Sequence, residues 1–292
     1  MNIPTYPESR PLELSDKPLL DGLFVRLQPQ VSECTFADLY LFRQPHGYRL
    51  TLVGDALVVL GRGYDGVPYV LPPFSGDASR AALSLLSHGE TLYGVDEQFL
   101  NRYLSDKDVQ VSEDRDNFDY LYLRQELAEL PGNRYHKKKN RIRYFTTRHR
   151  HTVEQLGPAH REGCRLLLDC WLRSRRDDEQ RTLMPEAAAT AEALELFETL
   201  ELQGVVVLVE GVVKGFALGE RLNDETAVCH FEKADPFMEG VAQLVNREFS
   251  RLLFTDCRFI NREQDLGEPG LRAAKLSYHP FSLIRKYRVR AV

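Results

Sequence analysis

Between residues 205 and 280 the order of elements leaves few folds open. Two valine-rich runs, 205–210 and 212–219, meet at Glu210 and Gly211 and read as a hairpin. A third apolar run, 226–231, precedes a helical stretch at 240–253. A short strand follows at 258–261, then a last helix that Pro269 opens and Pro280 ends. Upstream, 158–173 is a helix with Cys164, Leu167, Leu168 and Trp171 on one face. A second helix, 185–202, starts near Pro185 and stops at Gly204. Helix, helix, hairpin, strand, helix, strand, helix is an α/β order, built on a mixed sheet. The strands ending at Phe231 and Asn261 are expected to be neighbours that splay at their carboxyl ends.

The first half repeats the theme without an alignable sequence repeat. Residues 1–20 read as an extended arm, and 35–41 as a short aromatic-rich segment. Runs 48–53 and 56–60 form a hairpin around Gly54 and Asp55. Strand 67–71, a helix capped by Asp77, strand 91–95, helix 97–104 and strand 120–123 follow. Gly61, Gly63 and Gly66 spell GxGxxG, but a strand and not a helix comes next, so they read as a hairpin turn rather than a phosphate cradle. The composition changes near residue 150, which divides the chain into domains 1–150 and 151–292.

That change is a run of cations. Arg134, Lys137, Lys138, Lys139, Arg141, Arg143, Arg148 and Arg150 occur with no acidic residue between Glu129 and Glu154. The 292-residue chain carries a net charge of -5, so the run stands out against an acidic background. One reading is a solvated helix face. The other is a receptor for phosphates of a coenzyme, a lipid head group or an RNA. On a helix these residues cover most of the circumference, so some must face the protein or a ligand.

The five cysteines show no CxxC spacing and read as core thiols of a reducing compartment. The first twenty residues have no apolar signal region, and no run approaches the roughly 18 apolar residues of a membrane span. A cytoplasmic protein is expected.

Residues 259–280 gather the richest chemistry. Asn261, Arg262, Glu263, Gln264 and Asp265 crowd the carboxyl end of a buried strand, and the next helix returns with Lys275, Tyr278 and His279. That end of a strand is where an α/β fold places ligands. A polar loop with a capped helix is the plainer reading.

The second half resembles the GNAT acyltransferase fold. The junction after 228–231 holds Glu232, Lys233 and Asp235 and leads to a helix near Gly240. In GNAT enzymes this junction carries the donor pyrophosphate on helix-start amides. Gly240 and Ala242 match the end of that pattern, whereas Phe237 fills its basic or amide position and Glu239 adds an acid, which weighs against ordinary acetyl-CoA. The stretch LRAAKLSYHP resembles the GNAT segment that presents a tyrosine to the leaving group, and Tyr278 is that tyrosine.

GNRYHKKKNRIRYF, HFEKAD and INREQDLGEPGLRAAKLSYHP together resemble a bacterial family related to the C-terminal domain of phosphatidylglycerol lysyltransferase. The resemblance covers nearly the whole chain and implies two GNAT-like domains in tandem. It implies acyl or aminoacyl transfer from an aminoacyl-tRNA or acyl-CoA donor to an amine or hydroxyl acceptor, with no permanently bound cofactor and no metal; the chain lacks the membrane-spanning half of the full lysyltransferase, so the resemblance alone does not imply a lipid rather than a small-molecule acceptor. On that reading Glu232, Glu263 and Asp265 are candidate bases and Tyr278 the acid. Lys233, Asn261, Arg272, Lys275, Gly240, Ala242, Lys137, Lys138, Lys139 and Arg141 are candidate substrate contacts, with tRNA or another phosphate-bearing donor at the basic segment. Glu232 paired with Lys275 or Arg272 in a salt bridge is the structural alternative for these residues. The alternative for the whole chain is a non-catalytic module that binds RNA or an anionic lipid through 134–150.

Overall fold

The computed structural model describes residues 2–174 and 180–292. The chain forms two compact units, each on a seven-stranded mixed sheet. The first comprises Met1–Asp119, Gln264–Arg272 and Leu283–Val292; the second comprises Tyr120–Glu263 and Ala273–Ser282. The division therefore falls at Asp119 and Tyr120 and not near residue 150, and the basic segment belongs to the second unit. The physical reason is strand pairing. Asp119–Leu123 runs antiparallel to Phe259–Asn261, with Tyr122 opposite Ile260.

In the first unit the strand order is Arg10–Pro11, Arg49–Val53, Ala56–Arg62, Pro68–Val70, Leu92–Val95, Tyr287–Ala291 and Val109–Glu113. Gly54, at φ 64°, turns the expected hairpin. The GxGxxG glycines make a second turn, in which Gly63 and Val67 close the loop through the Gly63 amide at 2.9 Å. Asp77 accepts a hydrogen bond from the Arg80 amide and starts the helix Ala78–Ser87. Leu85, Leu86, Leu92, Val95 and Val289 pack the core of this unit. The expected arm is shorter than 20 residues, because Leu20, Leu23 and Phe24 lie at helical spacing and bury one face of Lys17–Leu27. The C-terminal strand is pinned by Lys286, fully buried, whose Nζ lies 2.5 Å from Glu33 Oε2 and 2.7 Å from Asp119 Oδ1.

In the second sheet the order is Ser282–Ile284, Asp119–Leu123, Phe259–Asn261, Thr226–Ala234, Val212–Arg221, Gln203–Val209 and His151–Gln155. The hairpin turns at Glu210 and Gly211, both at positive φ. Helix Val241–Leu252 lies close on the sheet because two strand positions lack a side chain. A Cβ on Gly215 would come within 2.4 Å of Val245, and one on Gly219 within 2.8 Å of the Phe249 ring. Arg161–Arg173 buries Cys164, Leu167, Leu168 and Trp171, as their spacing requires. Pro185 sits inside Gln180–Leu196 and does not open it.

Strands Thr226–Ala234 and Phe259–Asn261 are parallel neighbours, paired from Thr226 with Phe259 to Val228 with Asn261. There the pairing ends, while the first strand continues to Ala234. Two parallel strands that part company open a gap at their carboxyl ends, and the polar residues of both strands stand at it.

Candidate functional site

A cavity of about 500 Å³ lies at the carboxyl end of Thr226–Ala234 and the start of Val241–Leu252. Its walls include Glu232, Asp235, Phe237, Gly240, Arg141 and Trp171. Strand alternation sends Glu232 to this side, and the loop 235–240 curls round it. Phe237, 80% exposed, stands at the rim.

Glu232 does not pair with Lys275 or Arg272. Its Oε2 accepts from Arg262 Nη2 at 3.1 Å and from Asn246 Nδ2 at 3.0 Å. Arg262 is the first residue past the strand Phe259–Asn261, on the same face as Ile260. Its side chain is 14% exposed, and its guanidinium lies 5.0 Å from the Tyr278 ring and 5.7 Å from the Tyr122 ring. Burial opposes the charge on Arg262, but Glu232 more than offsets it, so the pKa is raised above the ordinary arginine value. Nη1 of the same guanidinium is buried and has no hydrogen-bond partner among the described residues. The sequence reading passed over Arg262 as a site residue. Its only signal is its place, next after the last residue of a buried strand.

Tyr278 is buried, 6% exposed, and its carbonyl accepts a hydrogen bond from the Tyr135 hydroxyl at 3.0 Å. Its ring also carries Lys138 Nζ 3.9 Å from its centroid. Burial pushes the Tyr278 hydroxyl pKa up; Arg262 works against that shift and Glu232 adds to it. Tyr278 therefore belongs to the Glu232–Arg262 group by electrostatics and packing, but it is not one of the residues that wall the cavity.

The remaining candidates separate into distinct roles. Glu263 is not free to act as a base beside Glu232. Its Oε1 lies 2.7 Å from Nδ1 of buried His230, whose Nε2 lies 2.9 Å from Glu220. Burial works against a charge on His230, but hydrogen bonds with Glu220 and Glu263 prevail and raise its pKa well above the ordinary value. Asn261 is fully buried, and its Oδ1 accepts the Glu263 amide at 2.8 Å, holding Glu263 at φ 56°. Asn261 thus shapes the turn rather than meeting a ligand.

Asp265 is a correction of another kind. It belongs to the first unit, is fully buried, and accepts from Arg272 Nε at 2.9 Å and Nη2 at 2.7 Å. Arg272 also reaches Asp116 at 2.7 Å. Acid and arginine satisfy each other there, so neither is placed to serve the Glu232 cavity. Lys275 is buried and donates to the carbonyls of Arg262 and Glu263, at 2.5 and 3.0 Å. Lys233 is buried against the Trp171 ring, 4.1 Å from its centroid, and pairs with Glu186 at 2.5 Å. It steadies a carboxylate and does not point to solvent. Gly240 and Ala242 do line the cavity.

The basic segment is the helix His136–Arg148. Lys137, Lys139, Arg141 and Arg143 are exposed on it, whereas Ile142 and Phe145 are buried. Arg141 reaches the cavity wall and lies 3.8 Å from Glu239. Its carbonyl abuts Gly240, where a Cβ would come within 2.0 Å of that oxygen. The backbone of the basic helix thus packs against Gly240, the residue before Val241–Leu252, and the loop before it carries Asp235 and Glu239.

The family model of the C-terminal domain of phosphatidylglycerol lysyltransferase matches residues 24–290. The chain belongs to that family. A conserved protein of unknown function from Bacteroides thetaiotaomicron is 28% identical, with 97% of this chain and 99% of that one covered at a TM-score of 0.88. The C-terminal domain of a putative lysylphosphatidylglycerol synthetase from Agrobacterium fabrum is 14% identical, with 94% and 91% covered at a TM-score of 0.64. FemX is 10% identical, with 96% of each chain covered at a TM-score of 0.57. The last two likenesses are likenesses of fold. No curated protein sequence matches the chain. The fold of this family member is a tandem of GNAT-like domains, each with its own mixed sheet. Among the described residues, no helix is long and apolar enough to cross a membrane.

Proposed function

We propose that the protein transfers an aminoacyl group, carried as an ester on the 3′ end of a tRNA, to an amine or hydroxyl acceptor. Family membership supports aminoacyl transfer in general. The observation that carries the choice of donor is the acidic loop before the helix start, with Asp235 and Glu239 on the cavity. A coenzyme A pyrophosphate needs the amides of a helix start, uncovered and free of acids. Here Arg141 lies on Gly240, and Glu232, Asp235 and Glu239 face the same cavity. A dianion there meets three carboxylates, of which Glu232 is paired with Arg262 and Asp235 with Lys214, and one arginine, Arg141. The basic helix turns Lys137, Lys139 and Arg143 outward, which suits a phosphate backbone held outside the cavity.

In this reading the ester carbonyl sits at the cavity near Glu232. The acceptor attacks, and the Glu232 carboxylate, held by Arg262 and Asn246, takes or steadies the proton of the attacking group. Arg262, against the Tyr278 ring, stabilises developing negative charge, and Tyr278, behind the cavity wall, is the acid candidate that Tyr278→Phe tests. Transfer of radiolabelled amino acid from a mixed pool of charged tRNA to phospholipid, peptide amine or small amines is the direct test. Tight, salt-insensitive binding of acetyl-CoA with no discharge of any aminoacyl-tRNA would refute the reading. Salt-sensitive RNA binding with no discharge would favour the binding-module alternative, which the exposed cations of the same helix also serve.

A further inference from the structure

We propose that Lys138 is a nucleophilic amine of the second unit that accepts acyl groups from activated esters and thioesters. Three lysines follow one another at 137–139, and at about 100° per residue only one can turn inward. That one is Lys138. Lys137 and Lys139 are exposed, while Lys138 is half-buried.

The groups that touch its Nζ are neutral. Nζ donates to Ser277 Oγ at 2.6 Å, and that hydroxyl donates onward to the Ala274 carbonyl at 2.6 Å. The Tyr278 ring lies below it, with the centroid at 3.9 Å. No carboxylate lies within ion-pair distance of Lys138 among the described residues. The charged groups that face it are Arg141 on its own helix, one turn on, and Arg262 and Glu232 from the sheet. Glu232 already serves Arg262, so two cations and one committed anion surround the amine. Lys138 also lies in the first turn of its helix, where the backbone dipole disfavours a cation. Desolvation first, then Arg262 and Arg141, lower its pKa to about 8. About a tenth is therefore the free base at pH 7, on a residue one helical turn from Arg141 of the cavity wall.

The step balances simply. The neutral amine attacks the acyl carbonyl, and a C–N bond forms. The C–O or C–S bond to the donor breaks, and the amine proton leaves with the departing alcohol or thiol. The product is an uncharged amide at Lys138, which removes one cation from the ring of Tyr278. The proposal takes its biological donor from the aminoacyl-transfer reading but not its chemistry, and the test keeps the two apart.

The test is acetylation of the intact protein by p-nitrophenyl acetate from pH 6.5 to 10, resolved by peptide mass spectrometry at Lys137, Lys138 and Lys139. The free-base advantage of Lys138, less the lower nucleophilicity of a weaker base, gives a rate roughly tenfold above its neighbours at pH 7.5. Its rate should level off above about pH 8. A burst of about one equivalent of p-nitrophenolate, lost in Lys138→Arg with unchanged melting, is the companion expectation. Equal rates at the three lysines, or Lys138 as the slowest of them, overturn the proposal. Failure of every charged tRNA to discharge would sink the functional reading above and leave this outcome standing.

Discussion

Lys286→Met tests how the first unit is held together. The ammonium is fully buried and touches two carboxylates, Glu33 Oε2 at 2.5 Å and Asp119 Oδ1 at 2.7 Å. Asp119 keeps its hydrogen bonds from the Ser32 amide and hydroxyl, at 2.8 and 2.9 Å. Glu33 is worse off, since its Oε1 is buried without a partner even in the native protein. Removing one member of a buried ion group while its partners stay buried costs about 3–5 kcal/mol. For a unit of this size that is a loss of roughly 10 °C or more in Tm. The pH dependence is the sharper reading. Burial raises the Glu33 pKa, and Lys286 is the chief influence that pulls it back. Without Lys286 the folded pKa rises further above the unfolded value of about 4.3. A carboxyl with a raised folded pKa favours the folded state at low pH and opposes it as pH climbs through that pKa. The defect should therefore be smaller at pH 5 than at pH 8, and Lys286→Met with Glu33→Gln should recover part of it. Urea melts at the two pH values measure both. A loss under 1 kcal/mol, or a defect that grows as pH falls, would refute the reasoning.

Three further outcomes are expected. His230→Asn removes a histidine whose folded pKa is raised, so the stability it contributes is whole below about pH 6.5 and is lost as pH rises through the folded value; denaturant titrations should show the gap from wild type narrowing from pH 6 to pH 9, and a widening gap contradicts the assignment. Gly240→Ala places a Cβ 2.0 Å from the Arg141 carbonyl oxygen at φ 96°, and strain plus overpacking should cost about 2–4 kcal/mol, read by thermal melting; an unchanged Tm would mean the basic helix does not press on that residue. Tyr278→Phe should lower aminoacyl transfer by roughly 10²-fold with donor affinity intact if the hydroxyl is the acid, whereas a purely packed ring predicts about 1 kcal/mol of stability and an unchanged rate.

Much of the second unit was legible because its elements are long and strongly patterned. The hairpin, the strand read at 226–231, which runs on to Ala234, and the helix after Gly240 follow from valine runs, glycine turns and apolar spacing, and their parallel neighbour at 259–261 followed from the order of elements. The division between units was not legible. It depends on Tyr120–Leu123 pairing with a strand some 140 residues later and on Tyr287–Ala291 joining the first sheet, and local composition carries no trace of either. The polar edge strand His151–Gln155 escaped for a related reason, being largely exposed and hence without an apolar period.

The site shows the same limit in electrostatic form. The residues near 230 and 262 could be collected from the sequence as acids and bases, but not sorted into pairs. Asp265, with both oxygens held by Arg272, and Glu263, against His230, look identical on paper to Glu232. What distinguishes Glu232 is that its partners, Arg262 and Asn246, hold it at a cavity wall instead of sealing it in the interior. Lys138 is the counterpart among the cations. Of three adjacent lysines, sequence offers no reason to choose one, and the choice is made by a hydroxyl, a tyrosine ring and two arginines brought there by the fold. Residue type sets which charges a chain can use. Desolvation and unequal pairing decide which of them remain reactive, and both are properties of the packed unit.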